Sequence, residues 1–169
     1  MIRDANDGDV PLLAGIEARA ARRFGEAGLP AAEALPLHDP VELLIAAMEK
    51  RVLVAVDGDD VAVGFALLEA HSDGDAHLLE LDVEPAHCGK GLGRALLAAS
   101  ADWARSRGLQ RLTLTTFRDI PFNAPFYTRV GFRALALEAL GSRLRSILEQ
   151  EVLHGVAVAP RVAMAMPLT

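Results

Sequence analysis

The segment that most constrains this chain runs Leu78-Leu-Glu-Leu-Asp-Val-Glu-Pro-Ala-His-Cys-Gly-Lys-Gly-Leu-Gly-Arg-Ala-Leu-Leu97. An apolar-rich strand passes into a glycine loop, and the loop opens into an alanine/leucine helix. Gly89, Gly91 and Gly93 permit a sharp turn and a close backbone approach to a ligand. The amides that follow sit at a helix N-terminus, where unpaired N–H groups and the helix dipole favour an anion. The loop therefore reads as a cradle for phosphate or pyrophosphate.

The chain has 169 residues, the size of one domain with a real core, so a single domain over residues 1–169 is expected. The formal net charge of −6 argues against a nucleic-acid partner, which favours a basic face. One cysteine, Cys88, excludes an intrachain disulfide and a cysteine zinc cluster. The opening Met1-Ile-Arg-Asp is polar, unlike a signal peptide, and no apolar run approaches the ~20 residues of a membrane span. Cytoplasm, with no membrane partner and no metal, is the expected setting.

Turn signals and periodicity give the element order. Met1–Ala5 is expected as a strand, then a helix to Phe24 capped by Asp7 or Asp9 and carrying Pro11 in its first turn. Val10, Leu13, Ile16, Ala20 and Phe24 share one face of it. Residues 25–40, with three prolines, read as a loop, and Asp39 caps a helix from Pro40 to Lys50. Strands at 51–56, 61–70 and 76–83 form a meander, the first turn being Asp57-Gly58. A helix over 92–107 ends at Gly108. Strand 111–116, helix 121–130, strand 132–137, an amphipathic helix over 138–155 and strand 161–168 complete the chain. This is a mixed α/β arrangement around one sheet.

Three known loop chemistries compete for the glycines. A P-loop needs Ser or Thr after its Lys, but Gly91 follows Lys90. A dinucleotide loop needs a third glycine where Leu96 stands, inside a parallel β-α-β unit, and an antiparallel meander precedes this loop. The third reading takes in a second segment as well. Val83-Glu-Pro85 and Cys88-Gly-Lys-Gly91-Leu-Gly93, with Asn123-Ala-Pro-Phe-Tyr127 and Gly131-Phe132 downstream, resemble the Gcn5-related N-acetyltransferase (GNAT) superfamily. The resemblance covers roughly residues 1–137. Two departures stand out: Cys88 occupies the usual Arg/Gln position, and Asn123 lies four residues before Tyr127, whereas Ile120 holds the more common position.

That resemblance implies a central, mostly antiparallel sheet with a splayed strand pair, flanked by helices. It implies transfer of acetyl from acetyl-CoA to a primary amine of a small molecule or peptide. The alternatives are a non-catalytic acyl-CoA sensor on the same fold, or acetylation of a protein N-terminus or lysine. The pyrophosphate is expected on Cys88, Gly89, Lys90, Gly91, Leu92, Gly93 and Arg94. The pantetheine arm is expected along Leu81, Asp82 and Val83 by strand-like pairing, with Asn123 and Phe126 nearby. Asn123 holds that arm or only caps its helix.

Within the same resemblance, Tyr127 is expected to protonate the departing thiolate and Glu80 to take the amine's proton, with Asp82 as second choice. Strand alternation places Glu80 and Asp82 opposite Leu79 and Leu81. His38 and Asp39 border the acceptor pocket. His71, His77 and His87 lack metal spacing and are expected in turns or on the surface. Trp103 is expected in the core or an interface. The face of the 138–155 helix covers the acceptor site or forms a homodimer contact.

Overall fold

The computed structural model describes residues 1–168; Thr169, the last residue of the expected domain, lies outside them. The strands are β1 (Ile2–Asp4), β2 (Val52–Val56), β3 (Ala62–Ala70), β4 (Asp75–Val83), β5 (Arg111–Phe117), β6 (Arg133–Ala134) and β7 (Arg161–Pro167). The helices are α1 (Val10–Glu26), α2 (Pro30–Glu33), α3 (Pro40–Met48), α4 (Leu92–Arg105), α5 (Ala124–Arg129) and α6 (Ser142–Leu153). One sheet of order β1-β2-β3-β4-β5-β7-β6 carries them all. Every neighbouring pair is antiparallel except β4–β5.

Alternation along the strands divides the sheet's two faces. Ala66, Leu68, Ala76, Leu78, Leu112 and Leu114 pack with Leu96, Leu97, Ala101 and Ala104 of α4, and Tyr127 of α5 joins them. On the other face Val52, Val54, Phe65 and Leu67 meet Leu13, Ile16, Leu43 and Ala46 of α1 and α3. Further along that face Leu140 and Leu144 pack on Ala163 of β7. The face thus has α1 and α3 over one half, α6 over the other, and a furrow above β4 and β5.

Two local features shape the furrow. β4 and β5 pair only from Asp75–Arg111 to His77–Thr113 and part beyond that point. The register between β3 and β4 slips at Leu79, which has no partner between Leu78 and Glu80. Such a bulge reverses the alternation. His77, Glu80 and Asp82 consequently point to the α1/α6 face together, while Leu78, Leu81 and Val83 point to α4.

Several elements depart from the sequence reading. Asp9 is the N-terminal cap residue of α1 but makes no side-chain cap bond. Its carboxylate is taken by Arg3 (2.7 Å) and the Asn6 amide (2.8 Å). Asp39 does cap α3, accepting from the Val41 amide at 2.7 Å. The expected 25–40 loop contains α2. The strand expected at 132–137 shrinks to β6, because the chain turns at Leu137–Ala139 to bury Leu140. The helix expected from 138 starts only at Ser142. Trp103 is a core residue whose Nε1 donates to the Lys50 carbonyl.

Candidate active site

The splayed strands open onto a cleft of about 1070 Å³ that runs from the α4 N-terminus to the furrow under α1 and α6. Thirteen of the fourteen site residues expected from the sequence line it; the exposed Lys90 does not. At one end, Gly89 and Gly91 hold φ of +78° and +81°, a left-handed backbone that side chains resist. Gly91 is the residue from which α4 starts. The amides of Leu92, Gly93 and Arg94 lie in the first helical turn and have no intrahelical acceptor. A Cβ on Gly93 would sit 3.4 Å from the Phe126 ring, so the loop and α5 are in contact there.

Cys88 does not extend into this cradle as a charged contact. Its Sγ lies 3.7 Å from both the Val83 carbonyl and Arg23 Nη1. Arg23 in turn stacks on Phe122, 4.2 Å from the ring centre. Phe24 packs against Phe117 and Phe122 at 5.5 and 5.2 Å, forming an aromatic wall between α1 and β5. Asn123 precedes α5 without capping it by its side chain, which leaves the cap role without support.

Tyr127 approaches from the α4 face. It is buried between Phe126 and Phe132, with ring centres 5.3 and 5.5 Å away. Burial, then the Glu80 and Asp82 carboxylates, raise its hydroxyl pKa well above the ordinary range. The phenol stays protonated and able to donate.

Glu80 approaches from the opposite face. Burial and the nearby Glu17 carboxylate push its carboxyl up to about 7. Asp82 is also raised well above its ordinary value, by burial and then by Glu80 and Glu17. A carboxyl raised to about 7, as Glu80 is, suits general-base chemistry near neutrality.

The sequence reading passed over Glu17. It lies on the apolar stripe of α1, next to Ile16 and between Leu13 and Ala20, and is only 6% exposed. A carboxylate on such a stripe was the available signal. Arg161, Glu151 and Thr115 were missed too. Arg161 grips both Glu151 oxygens (3.0 and 2.9 Å) and stacks 4.5 Å from the Phe117 ring centre.

His77 is not a surface residue, contrary to the expectation for it. It is buried beside Thr113 and lines the cleft. Burial and the Arg143 guanidinium push it down to about 3, so it is neutral. His38 lines the cleft beside Glu17 and Glu80, whereas Asp39, expected to border the acceptor pocket with it, is not among the lining residues.

Residues 21–132 match the family model described as the acetyltransferase (GNAT) family. The chain belongs to that family. It is 36% identical over 95 residues to a streptothricin acetyltransferase of Streptomyces lavendulae, a match covering 54% of this chain and 49% of that protein. It is 38% identical over 90 residues to a mycothiol acetyltransferase of Clavibacter michiganensis subsp. michiganensis, covering 52% of this chain and 28% of the relative. The chain thus matches half or less of the length of these relatives.

Among solved structures, N-acetylglutamate synthase from Neisseria gonorrhoeae, complexed with coenzyme A and N-acetyl-glutamate, superposes with a TM-score of 0.75 at 20% identity. That match covers 100% of this chain and 35% of the synthase. PaiA N-acetyltransferase from Thermoplasma acidophilum, in complex with coenzyme A, gives 0.70 at 18% identity, covering 99% and 98%. At these identities the likeness is one of fold.

Proposed function

We propose that residues 1–169 form a single N-acetyltransferase unit that moves acetyl from acetyl-CoA directly to a primary amine of a small molecule or peptide. The parting of β4 from β5 beyond His77 and Thr113 carries this reading. It leaves a gap in the sheet that ends at an amide cradle. Glu80 stands on one side of the gap and Tyr127 on the other.

The residues fit coenzyme A. The first-turn amides of α4 match a pyrophosphate. The unpaired edge of β4 at Leu81–Val83 matches the amides of a pantetheine arm. Bound there, acetyl-CoA supplies a thioester whose carbonyl the Val83 amide polarises. Arg94 lies in the lining and adds positive charge near the phosphates.

The acceptor comes from the α1/α6 face, since the α4 face is taken by the cradle and α5. Glu80 accepts a proton from the incoming ammonium, and the freed nitrogen lone pair attacks the carbonyl carbon. Tyr127 donates its proton to the sulfur as the C–S bond breaks, and the nitrogen's second proton restores the phenol. Each positioned proton transfer accounts for about 10²–10⁴ in rate. α6, pinned by Arg143 to Asp73 (2.7 Å) and Asp75 (3.2 Å), forms the far wall of the acceptor end.

A cytoplasmic setting accompanies this reading; no described helix is long and apolar enough to cross a membrane. A second reading, an acyl-CoA-binding module without turnover, is favoured by Cys88 in place of Arg/Gln. Calorimetric titration with acetyl-CoA and with CoA tests the common part. Binding with one site per chain supports it; no heat of binding at high micromolar ligand removes both readings.

A further inference from the structure

Glu80 shares its face of the sheet with a pair of residues to which the transfer steps above give no task. His38 Nδ1 lies 2.9 Å from Glu17 Oε1 and 3.9 Å from Glu80 Oε2. The His38 backbone amide also donates to both Glu17 oxygens, at 3.2 Å each. One buried carboxylate therefore holds the imidazole by ring and by backbone. A buried carboxylate among Leu13, Ile16 and Ala20 is costly unless it is paired. The His38 bond to Glu17 raises the imidazole's pKa against the opposing effect of burial.

We propose that Glu17 and His38 are positioning residues for the reaction base: Glu17 holds His38 as an imidazolium facing Glu80, and the two opposite charges together keep the Glu80 carboxylate both available and basic. This rests on the reading of Glu80 as the base. The imidazolium favours the carboxylate form, which must exist before a proton can be taken. The Glu17 charge opposes it, which keeps the carboxylate strong enough to remove that proton. The acceptor ammonium loses one N–H proton to a Glu80 oxygen, which passes it to water. The nitrogen's lone pair forms the new C–N bond as the C–S bond breaks, and the second N–H proton replaces the one Tyr127 gives to sulfur.

The other charged or titratable groups lining the cleft around this centre come from the elements packed against it. Arg23 comes from α1, His77 and Asp82 from β4 itself, Arg161 from β7, Arg143 and Glu151 from α6, and Tyr127 from α5. Glu42 of α3 acts on His38. One side-chain donor atom each of Glu17, His38 and Glu80 lies within 4.8 Å of the other two.

The test is the acidic limb of kcat/KM for the acceptor at saturating acetyl-CoA. His38→Asn keeps an N–H donor toward Glu17 but removes the positive charge, and moves the limb to higher pH by about one unit. Glu17→Gln in the His38→Asn background, where no imidazolium remains to be lost, removes the negative charge and moves the limb back to lower pH. A merely structural pair would shift neither limb, whatever it did to the melting temperature. Carbon-13 NMR titration of the Glu80 carboxyl in the CoA-bound protein, assigned with Glu80→Gln, reads the same displacements without turnover.

Opposite displacements support the pair; equal or absent ones overturn it. Should no amine be acetylated, the transfer reading falls while the NMR titration still decides the pair. Should Glu80→Gln retain the wild-type limb, the base assignment falls by itself. If His38→Asn does not fold, the same two displacements are read in His38→Gln and in its double variant with Glu17→Gln, and their absence overturns the proposal.

Discussion

His77 and Thr113 form the last rung between β4 and β5. The Thr113 hydroxyl gives its one proton to the Ala76 carbonyl (2.9 Å), so the 2.9 Å bond to His77 is donated by Nδ1–H of the ring. The rung is buried, and beyond it the sheet opens. Thr113→Val leaves the ring N–H without an acceptor in the core. It is expected to cost about 1–3 kcal/mol, read as a lower urea midpoint at unchanged slope. An unchanged midpoint would remove the rung from the account.

The amide cradle depends on left-handed glycines with open space around them. Gly91→Ala meets no clash, so its effect is conformational, about 1–2 kcal/mol. The loop relaxes that strain by leaving the cradle geometry. Affinity for CoA is then expected to fall about tenfold in calorimetric titration, with the Tyr127 and Glu80 environments intact. Wild-type affinity would mean that the pyrophosphate is held elsewhere.

Tyr127 is kept protonated by burial and two carboxylates. Tyr127→Phe is expected to lower kcat by about 10²-fold or more while leaving the CoA dissociation constant unchanged. Equal loss in both would make the tyrosine a packing residue.

Glu80 titrates near 7 in the fold against an ordinary value of 4.5. A raised carboxyl binds more protons folded than unfolded between those values, so it lowers stability as pH rises from 4.5 to 7. Its side chain is 30% exposed, and screening holds the effect to about 1–2 kcal/mol. Glu80→Gln is expected to raise the melting temperature at pH 8 more than at pH 4.5. The same gain at both would show that Glu80 ionises normally.

The parts of this fold legible in the sequence are those with local causes. The Asp57-Gly58 turn, the Asp39 cap and the left-handed glycines before α4 each act within a few residues of themselves. The Leu79 bulge was not legible, because it is a mismatch between two strands and leaves no mark on either alone. It nevertheless left Glu80 and Asp82 on their expected face and brought His77 round beside them. Glu17 was hidden for a related reason. Its partners, His38 and Glu80, arrive from a proline-rich loop and from another strand, and only the broken apolar stripe of α1 records that something polar must meet it. β6 came out short because burial of Leu140 outweighed the strand pattern around it.

The most direct test of acetyl transfer is amine-dependent release of CoA thiol. The protein is incubated with acetyl-CoA and a panel of polyamines, amino acids, aminoglycosides and peptides, and products are checked by mass spectrometry. Release above the amine-free blank, with a matching N-acetylated product and loss of both in Glu80→Gln, is the expected result. Release no faster than the blank for every amine, in protein that binds acetyl-CoA, would contradict transfer and leave an acyl-CoA-binding module.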